Sequence, residues 1–421
     1  MPKRFTVRQG YRIDIDGAPA QQIEDAPPIA GAALLGTDLG GLRARLAVSV
    51  GDRVAEGQIL FVDCSRPAVA FAAPVSGEVV GIDFGPRRAL SALRLRADAE
   101  QPEAEARAAV PGDLRETLLS RGMWPAFRTR PFGRIPAPDG DPAAIFVTAI
   151  DTRPLAPDPA VVLTARHDEL RRGVAALAGL TSGPVFVCQG PGPDMAAGIT
   201  GAETVIFEGP HPAGLAGTHV HRLFPASSDR PVWTIGYQDV AAIGHLLETG
   251  CYDPVRVVSL AGPRARRPRL LRTRLGASLH DISSGELAAS PDGHAARLVS
   301  GSPLDGREAA YLGRHTLQVS LLDGIAPARS PGLLDRLLRL RGPAGPMPIV
   351  PTDHLEHALA FGMPPVPLLR ALAVGDAETA ERLGALHMIE EDVALVSALC
   401  TSGADYGALL RQVLEDLAEA A

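Results

Sequence analysis

Gly51-Asp52-Arg53-Val54-Ala55-Glu56-Gly57-Gln58-Ile59-Leu60-Phe61 and, twelve residues on, Ala73-Pro74-Val75-Ser76-Gly77-Glu78-Val79-Val80 decide how the first part of this chain folds. Each half joins a glycine turn to an alternating apolar strand, and short strands broken by glycine close into a small β-sandwich. Working outward, the 421 residues exceed one ordinary core, so two to four domains are expected. With 46% hydrophobic and 21% charged residues the composition is that of a globular chain able to bury sizeable cores. The formal net charge of -7 provides no general basic field for a phosphate backbone, so no nucleic-acid partner is expected.

The two quoted halves resemble the biotinyl/lipoyl carrier fold. A carrier places a lysine at the hairpin tip between its halves, whereas this tip reads Asp63-Cys64-Ser65-Arg66-Pro67-Ala68. Lys3 is the only lysine of the chain, which excludes a biotinyl or lipoyl arm, a Walker-type phosphate loop and a Schiff base. Cys64, Cys188, Cys251 and Cys400 are too scattered to form a local zinc or iron–sulfur site. The amino terminus, Met1 to Arg8, lacks the apolar core of a signal peptide, so reduced thiols and a cytoplasmic location are expected. No stretch approaches the ~20 uninterrupted apolar residues of a membrane span, and membrane association is expected to run through partners.

Four units are expected. Residues 1–110 form the carrier-like β domain without its lysine, and residues 97–112, rich in Ala, Glu and Pro, read as a linker leading to a helix at Leu114 to Gly122. Residues 111–253 alternate strands (Ala144 to Ala149, Val161 to Thr164, Val185 to Cys188, Val232 to Ile235) with helices (His167 to Ala178, Tyr237 to Thr249), which implies a parallel sheet in an α/β core. Residues 254–328 read as a small α+β module. Residues 329–421 read as a helical bundle, from the spacing at Leu333 to Leu340, Pro365 to Val374, Ala377 to Leu386 and Asp405 to Ala418.

Four blocks carry a family resemblance across nearly the whole chain. They are Ala33-Leu34-Leu35-Gly36-Thr37-Asp38-Leu39-Gly40-Gly41-Leu42 with the carrier-like segment, and Met123-Trp124-Pro125-Ala126-Phe127-Arg128-Thr129-Arg130-Pro131-Phe132. Phe207 to Gly214 with Gly217-Thr218-His219 and Tyr237 to Val240 form the third, and Val258 to Pro263 with Ser300-Gly301-Ser302 and Tyr311-Leu312-Gly313-Arg314 the fourth. Together they resemble the NqrA family, a component of the bacterial sodium-translocating NADH:quinone oxidoreductase.

The resemblance implies a multidomain α/β and α+β fold: the carrier-like domain, a Rossmann-like core related to the NADH-binding subunit of respiratory complex I, an SLBB/ubiquitin-like module and the helical domain. It implies a peripheral subunit on the cytoplasmic face of the inner membrane, docked on other subunits of the reductase, chiefly an integral membrane one. Ubiquinone is the implied bound substrate, no cofactor is held covalently, and FMN, riboflavin and iron–sulfur centres belong to partner subunits. The cluster cysteines of the complex I relative are missing, since Cys400 stands alone at the carboxyl end.

For quinone binding the resemblance points to Leu35, Gly36, Leu39 and Leu42, and to Trp124, Phe127, Arg128, Arg130 and Phe132. The second group also reads chemically, with aromatic faces to stack on a headgroup and guanidinium donors for its carbonyls. The alternative keeps Arg128 and Arg130 as salt-bridge residues and the aromatics as filling of a domain seam. On the first reading this segment is a loop, and a Phe127→Ala, Arg130→Ala chain loses quinone affinity yet stays folded. Two further functional readings remain, an electron-transfer subunit of Rnf type that binds NADH and flavin itself, and an assembly scaffold without quinone contact.

Other motifs read as structural. His211, His219 and His221 lie among prolines and glycines, and a rigid turn explains them better than a metal. The prolines of Gly190-Pro191-Gly192-Pro193-Asp194 remove donors a phosphate needs. Arg264, Arg266, Arg267, Arg269, Arg272 and Arg274 form a basic cluster, by default a solvated face or a contact for an acidic partner, with phospholipid headgroup contact as the sharper reading.

Overall fold

A computed structural model of the chain describes residues 2–40, 42–101, 112–289, 295–324 and 348–420. The helix expected at 333–340 and the domain boundaries near 110 and 328 lie outside these residues.

The quoted glycine turns behave as read. A four-stranded sheet (Gly31–Leu35, Leu90–Ala97, Gly77–Phe84, Arg53–Val54) faces a three-stranded one (Ala44–Leu46, Ile59–Asp63, Ala70–Ala72). Leu60, Phe61, Phe71, Val79, Leu93 and Leu95 fill the space between them, with the rings of Phe61 and Phe71 stacked at 4.6 Å. Where a carrier keeps a free tip, this one is fastened down. Arg66 Nε donates to Asp63 at 2.9 Å, and its Nη1 donates to the carbonyl of Ile135, outside the β domain, at 2.7 Å. Asp63 is buried; desolvation works to raise its carboxyl pKa, but hydrogen bonds from Ser65 and Arg66 prevail and hold it below the ordinary range.

The α/β core is built on a six-stranded sheet in the order Lys3–Thr6, Ala202–Glu208, Val185–Gln189, Ile145–Ala149, Val232–Gly236, Arg128–Arg130. The first five strands are parallel and the last is antiparallel. Buried on both faces, the three central strands read as the continuous apolar runs such a position requires. Helices His167–Leu177 and Tyr237–Thr249 pack together, and Gly173 and Gly244 allow it: a Cβ at either would stand about 2 Å from a backbone carbonyl of the other helix.

Three elements depart from expectation. Val161 to Thr164 lie in and just after a helix, Pro159–Leu163, because Asp158 caps Ala160 N at 2.9 Å and Pro159 occupies the first turn, where its missing N–H costs nothing. Arg128–Arg130 is an edge strand rather than a loop, with Pro131 just beyond the last ladder position. The segment 1–30 supplies strands to two sheets outside the β domain. Lys3–Thr6 joins the core sheet, where Phe5 stacks on Phe207 at 5.4 Å, and Ala20–Asp25 pairs in parallel with Arg269–Arg274.

A second six-stranded sheet runs Arg307–Glu308, Ala296–Ser300, Gln318–Asp323, Val255–Ala261, Arg269–Arg274, Ala20–Asp25. In the carboxy-terminal part, helices Pro365–Val374, Ala394–Leu399 and Tyr406–Ala420 surround Leu369, Leu372, Tyr406, Leu410 and Val413.

The docked tip yields a first prediction. Arg66→Ala is expected to lower unfolding free energy by about 1 to 2 kcal/mol, because it takes the charged partner from the buried Asp63 carboxylate, leaving only Ser65, and frees the tip. Urea unfolding with equal stability of both chains would show the tip to be unattached in solution.

Candidate functional site

In the core sheet the strand Ile145–Ala149 is followed in sequence by its neighbour on one side, Val185–Gln189, whereas its other neighbour, Val232–Gly236, comes later. The winding reverses there, and a crevice opens beyond the carboxyl ends of those strands. A cavity of about 340 Å³ occupies it, lined by Thr148, Asp151, Gly236 and Tyr237 from the core. Ser300 to Ser302, Asp305, Arg307 and Gly313 to Thr316 wall it from the second sheet and its loops, Asp38 from the β domain, and Ile389 and Glu391 from the carboxy-terminal part.

Asp38 ties three elements together. Its backbone carbonyl accepts from Arg128 Nη2 at 2.5 Å, its carboxylate accepts from Arg314 N at 2.7 Å, and it pairs with the Arg307 guanidinium. Arg128 forms no ion pair among the described residues, and burial, the largest influence on it, pushes its guanidinium pKa down to about 10. Asp239 receives Arg256 Nη2 at 2.5 Å. Arg314 Nη1 is 2.9 Å from the same carboxylate oxygen, and its Nη2 is buried without a hydrogen-bond partner.

The opposite wall is acidic. Arg153 reaches Asp305 at 2.6 Å, Glu391 at 2.5 Å and Asp151 at 3.4 Å, one guanidinium among three carboxylates. Burial raises the pKa values of Asp151 and Glu391. Burial also works to raise that of Asp305, but the Arg153 charge prevails and holds it low.

Beside the cavity is a small apolar slot of about 40 Å³, lined by Leu34, Leu35, Leu39, Phe71, Leu275 and Leu312. Asp38 and Arg314 border both spaces.

Three family models match: the NqrA N-terminal barrel-sandwich hybrid domain over residues 5–98, the NqrA second alpha/beta domain over 111–252, and the NQRA C-terminal domain, of SLBB type, over 257–310. The chain is 40% identical to the NqrA component of the Na(+)-translocating NADH-quinone reductase of Shewanella amazonensis, over 98% of each chain. The chain belongs to the NqrA family. Proteins of the same name from Pseudomonas aeruginosa, 40% identical over 97% of this chain and 98% of theirs, and Neisseria meningitidis, 39% identical over 98% of each, are equally similar. Among solved structures, a chain of an NAD+-reducing [NiFe]-hydrogenase is similar at a TM-score of 0.35 and 12% identity, over 67% of this chain and 55% of that one.

As an NqrA-family chain it has a mixed α/β fold with a barrel-sandwich domain at the amino end and an SLBB domain nearer the carboxyl end. Among the described residues no helix is long and apolar enough to cross a membrane.

The residues singled out from the sequence fall into four places. Leu35 and Leu39 line the slot, joined by Pro125 from the second segment, and Arg128 lines the cavity next to it. Gly36 serves close packing, since a Cβ there would stand 1.7 Å from the carbonyl oxygen of Leu90, and Leu42 is buried in the β-domain core. Trp124 and Phe127 are fully buried against Trp233, at 5.2 and 5.5 Å between ring centroids, and Trp124 Nε1 donates to the Pro136 carbonyl at 3.0 Å. Phe132 packs on the carboxy-terminal core, and Arg130 is 1% exposed, paired with the fully buried Asp392 and, at 2.8 Å, with Glu391.

Sequence reasoning did not single out Arg153, Arg256, Arg307 or Asp38 for the cavity. No local spacing links them, because Arg256 and Arg307 come from the second sheet, Arg153 from a loop after a core strand and Asp38 from a turn, and only the fold assembles them.

The burial of Phe127 and Arg130 changes the expectation for their double variant, which now loses stability. Arg130→Met alone strands Asp392 and is expected to cost about 3 to 5 kcal/mol, with much of the loss recovered by adding Asp392→Leu. Urea titrations of the single and paired variants decide it, and an unaffected single variant would show that the pair is not desolvated.

His219 is fully buried with Nε2 2.9 Å from the Ala213 carbonyl oxygen, and burial pushes its pKa down to about 4. An unfolded chain protonates it near pH 6.5. Its stabilisation is therefore present above that pH and is lost as pH falls toward 4, with a slope of up to about 1.4 kcal/mol per pH unit. His219→Gln is expected to remove one proton from the acid dependence of stability over that window; an unchanged slope would count against a neutral, buried imidazole.

Proposed function

We propose that this chain works as the NqrA component of a sodium-translocating NADH:quinone reductase, holding ubiquinone and docking from the cytoplasmic side onto an integral membrane subunit. FMN, riboflavin and iron–sulfur centres belong, on this reading, to partner subunits, with electrons reaching the quinone beside or on this chain. The four units 1–110, 111–253, 254–328 and 329–421 divide the labour: a β domain and a Rossmann-like core frame the site, and the SLBB module and helical domain close it.

The observation that carries the reading is the meeting of slot and cavity at Asp38 and Arg314. A quinone is a flat ring with two carbonyl acceptors and an apolar tail. Leu35, Leu39 and Leu312 provide an apolar path, and Arg128 and Arg314 provide donors at its inner end. Guanidinium groups short of acceptors suit a carbonyl that gains negative charge on reduction. Trp124 and Phe127 support the ring site from behind through their packing with Trp233, and Arg130 does so by fixing Glu391.

Titrating the purified chain with a short-chain ubiquinone tests this. Leu35→Trp fills the slot and is expected to weaken binding roughly tenfold or more at an unchanged melting temperature, a loss of about 1.4 kcal/mol. Arg128→Gln is expected to weaken it similarly. Quinone affinity untouched by both changes in folded protein overturns the placement.

A further inference from the structure

The larger cavity holds more polarity than a quinone uses. Arg128, Arg256, Arg307 and Arg314 face only Asp38 and Asp239 on one wall, an excess of two positive charges, while on the other Arg153 faces Asp151, Asp305 and Glu391, the last shared with Arg130. The positive wall is the one with missing acceptors. Arg314 Nη1 pairs with Asp239 at 2.9 Å, its Nη2 is buried without a hydrogen bond, and Arg128 spends one N–H on the Asp38 carbonyl. An orphaned buried donor such as Arg314 Nη2, beside an excess of positive charge, marks a place where an acceptor belongs.

The first turn of the thirteen-residue helix Tyr237–Thr249 completes that wall. Gly236 at its N-cap offers no side chain to the free N–H groups, and Gly236, Tyr237 and Gln238 line the cavity. A helix start without a side-chain cap, flanked by arginine forks, suits a phosphate. The acidic wall asks for the opposite chemistry. Arg153, Arg130 and Ser302 fill only part of the lone pairs of its three carboxylates, and hydroxyl groups are the donors that satisfy carboxylates without adding charge.

We propose that this cavity binds a small phosphate ester of a polyol, with the phosphate on Arg128, Arg314 and the start of the helix Tyr237–Thr249 and the hydroxyls on Asp151, Asp305 and Glu391. At about 340 Å³ it lies near the small end of ligand pockets and takes a pentose phosphate, not a whole dinucleotide. Arg314 and Asp38 border the apolar slot as well, so the phosphate ester sits next to that slot and shares a wall with it.

Isothermal titration of the full chain with ribose 5-phosphate, inorganic phosphate and ribose tests the assignment. Ribose 5-phosphate is expected to bind at one saturable site, roughly tenfold tighter than inorganic phosphate, with ribose silent. Arg314→Gln at an unchanged melting temperature is expected to weaken it by roughly tenfold or more, and Arg128→Gln carries the same expectation should that variant not fold. No saturable binding at millimolar ribose 5-phosphate, or binding indifferent to these arginines, overturns the site, and inorganic phosphate binding as tightly as the ester overturns the polyol half. Sugar-phosphate binding in protein that ignores short-chain quinone would sink only the quinone reading, and the converse result only this one.

Discussion

One buried ion network holds the architecture to a single arrangement. Arg130, on the edge strand of the core sheet, meets Asp392 and Glu391 from the carboxy-terminal part, and Glu391 meets Arg153, which reaches Asp305 on a loop of the second sheet. Taking these charges out of water is costly, and only their mutual pairing offsets it. The units therefore cannot slide past one another by small steps. Gly217, in the helix Ala216–Leu223, shows how close the approach is: a Cβ there would stand 2.2 Å from the Asp392 carboxylate.

The cavity is a product of that constraint. A parallel sheet whose winding reverses leaves a crevice at its carboxyl ends whatever surrounds it. Here the second sheet, the turn at Asp38 and the Ile389–Glu391 segment roof the crevice, and each contributes charge. Because the charges arrive on separate elements, they sort into a basic wall and an acidic wall instead of pairing off one by one.

Patterns carried by neighbouring residues were legible. The glycine turns around Gly57 and Gly77, the strand runs at 145–149 and 185–189, and the helices beginning at His167 and Tyr237 follow from spacing and composition. Tertiary placement was not. Val161 to Thr164 has a strand's composition, but Asp158 and Pro159 start a helix there. The strand Ala202–Glu208 was missed, its two partly exposed leading residues hiding an otherwise buried run. Of the candidate site, Leu35, Leu39 and Arg128 reach the slot or the cavity, whereas Trp124 and Phe127 belong to an aromatic core, and nothing in a linear reading separates a stacking platform from a buried cluster.

The path of the first thirty residues has a consequence for biosynthesis. Lys3–Thr6 pairs with Val205 to Glu208, and Ala20–Asp25 with Arg269 to Arg272, so both leading strands leave the ribosome some two hundred residues before their partners. At ordinary translation speeds that wait is roughly 10 to 40 s. During it two unpaired edges are open to wrong pairing, and the charged character of the flanking stretch, from Lys3 through Arg4 and Arg8 to Glu24 and Asp25, disfavours their self-association until the proper neighbours are made.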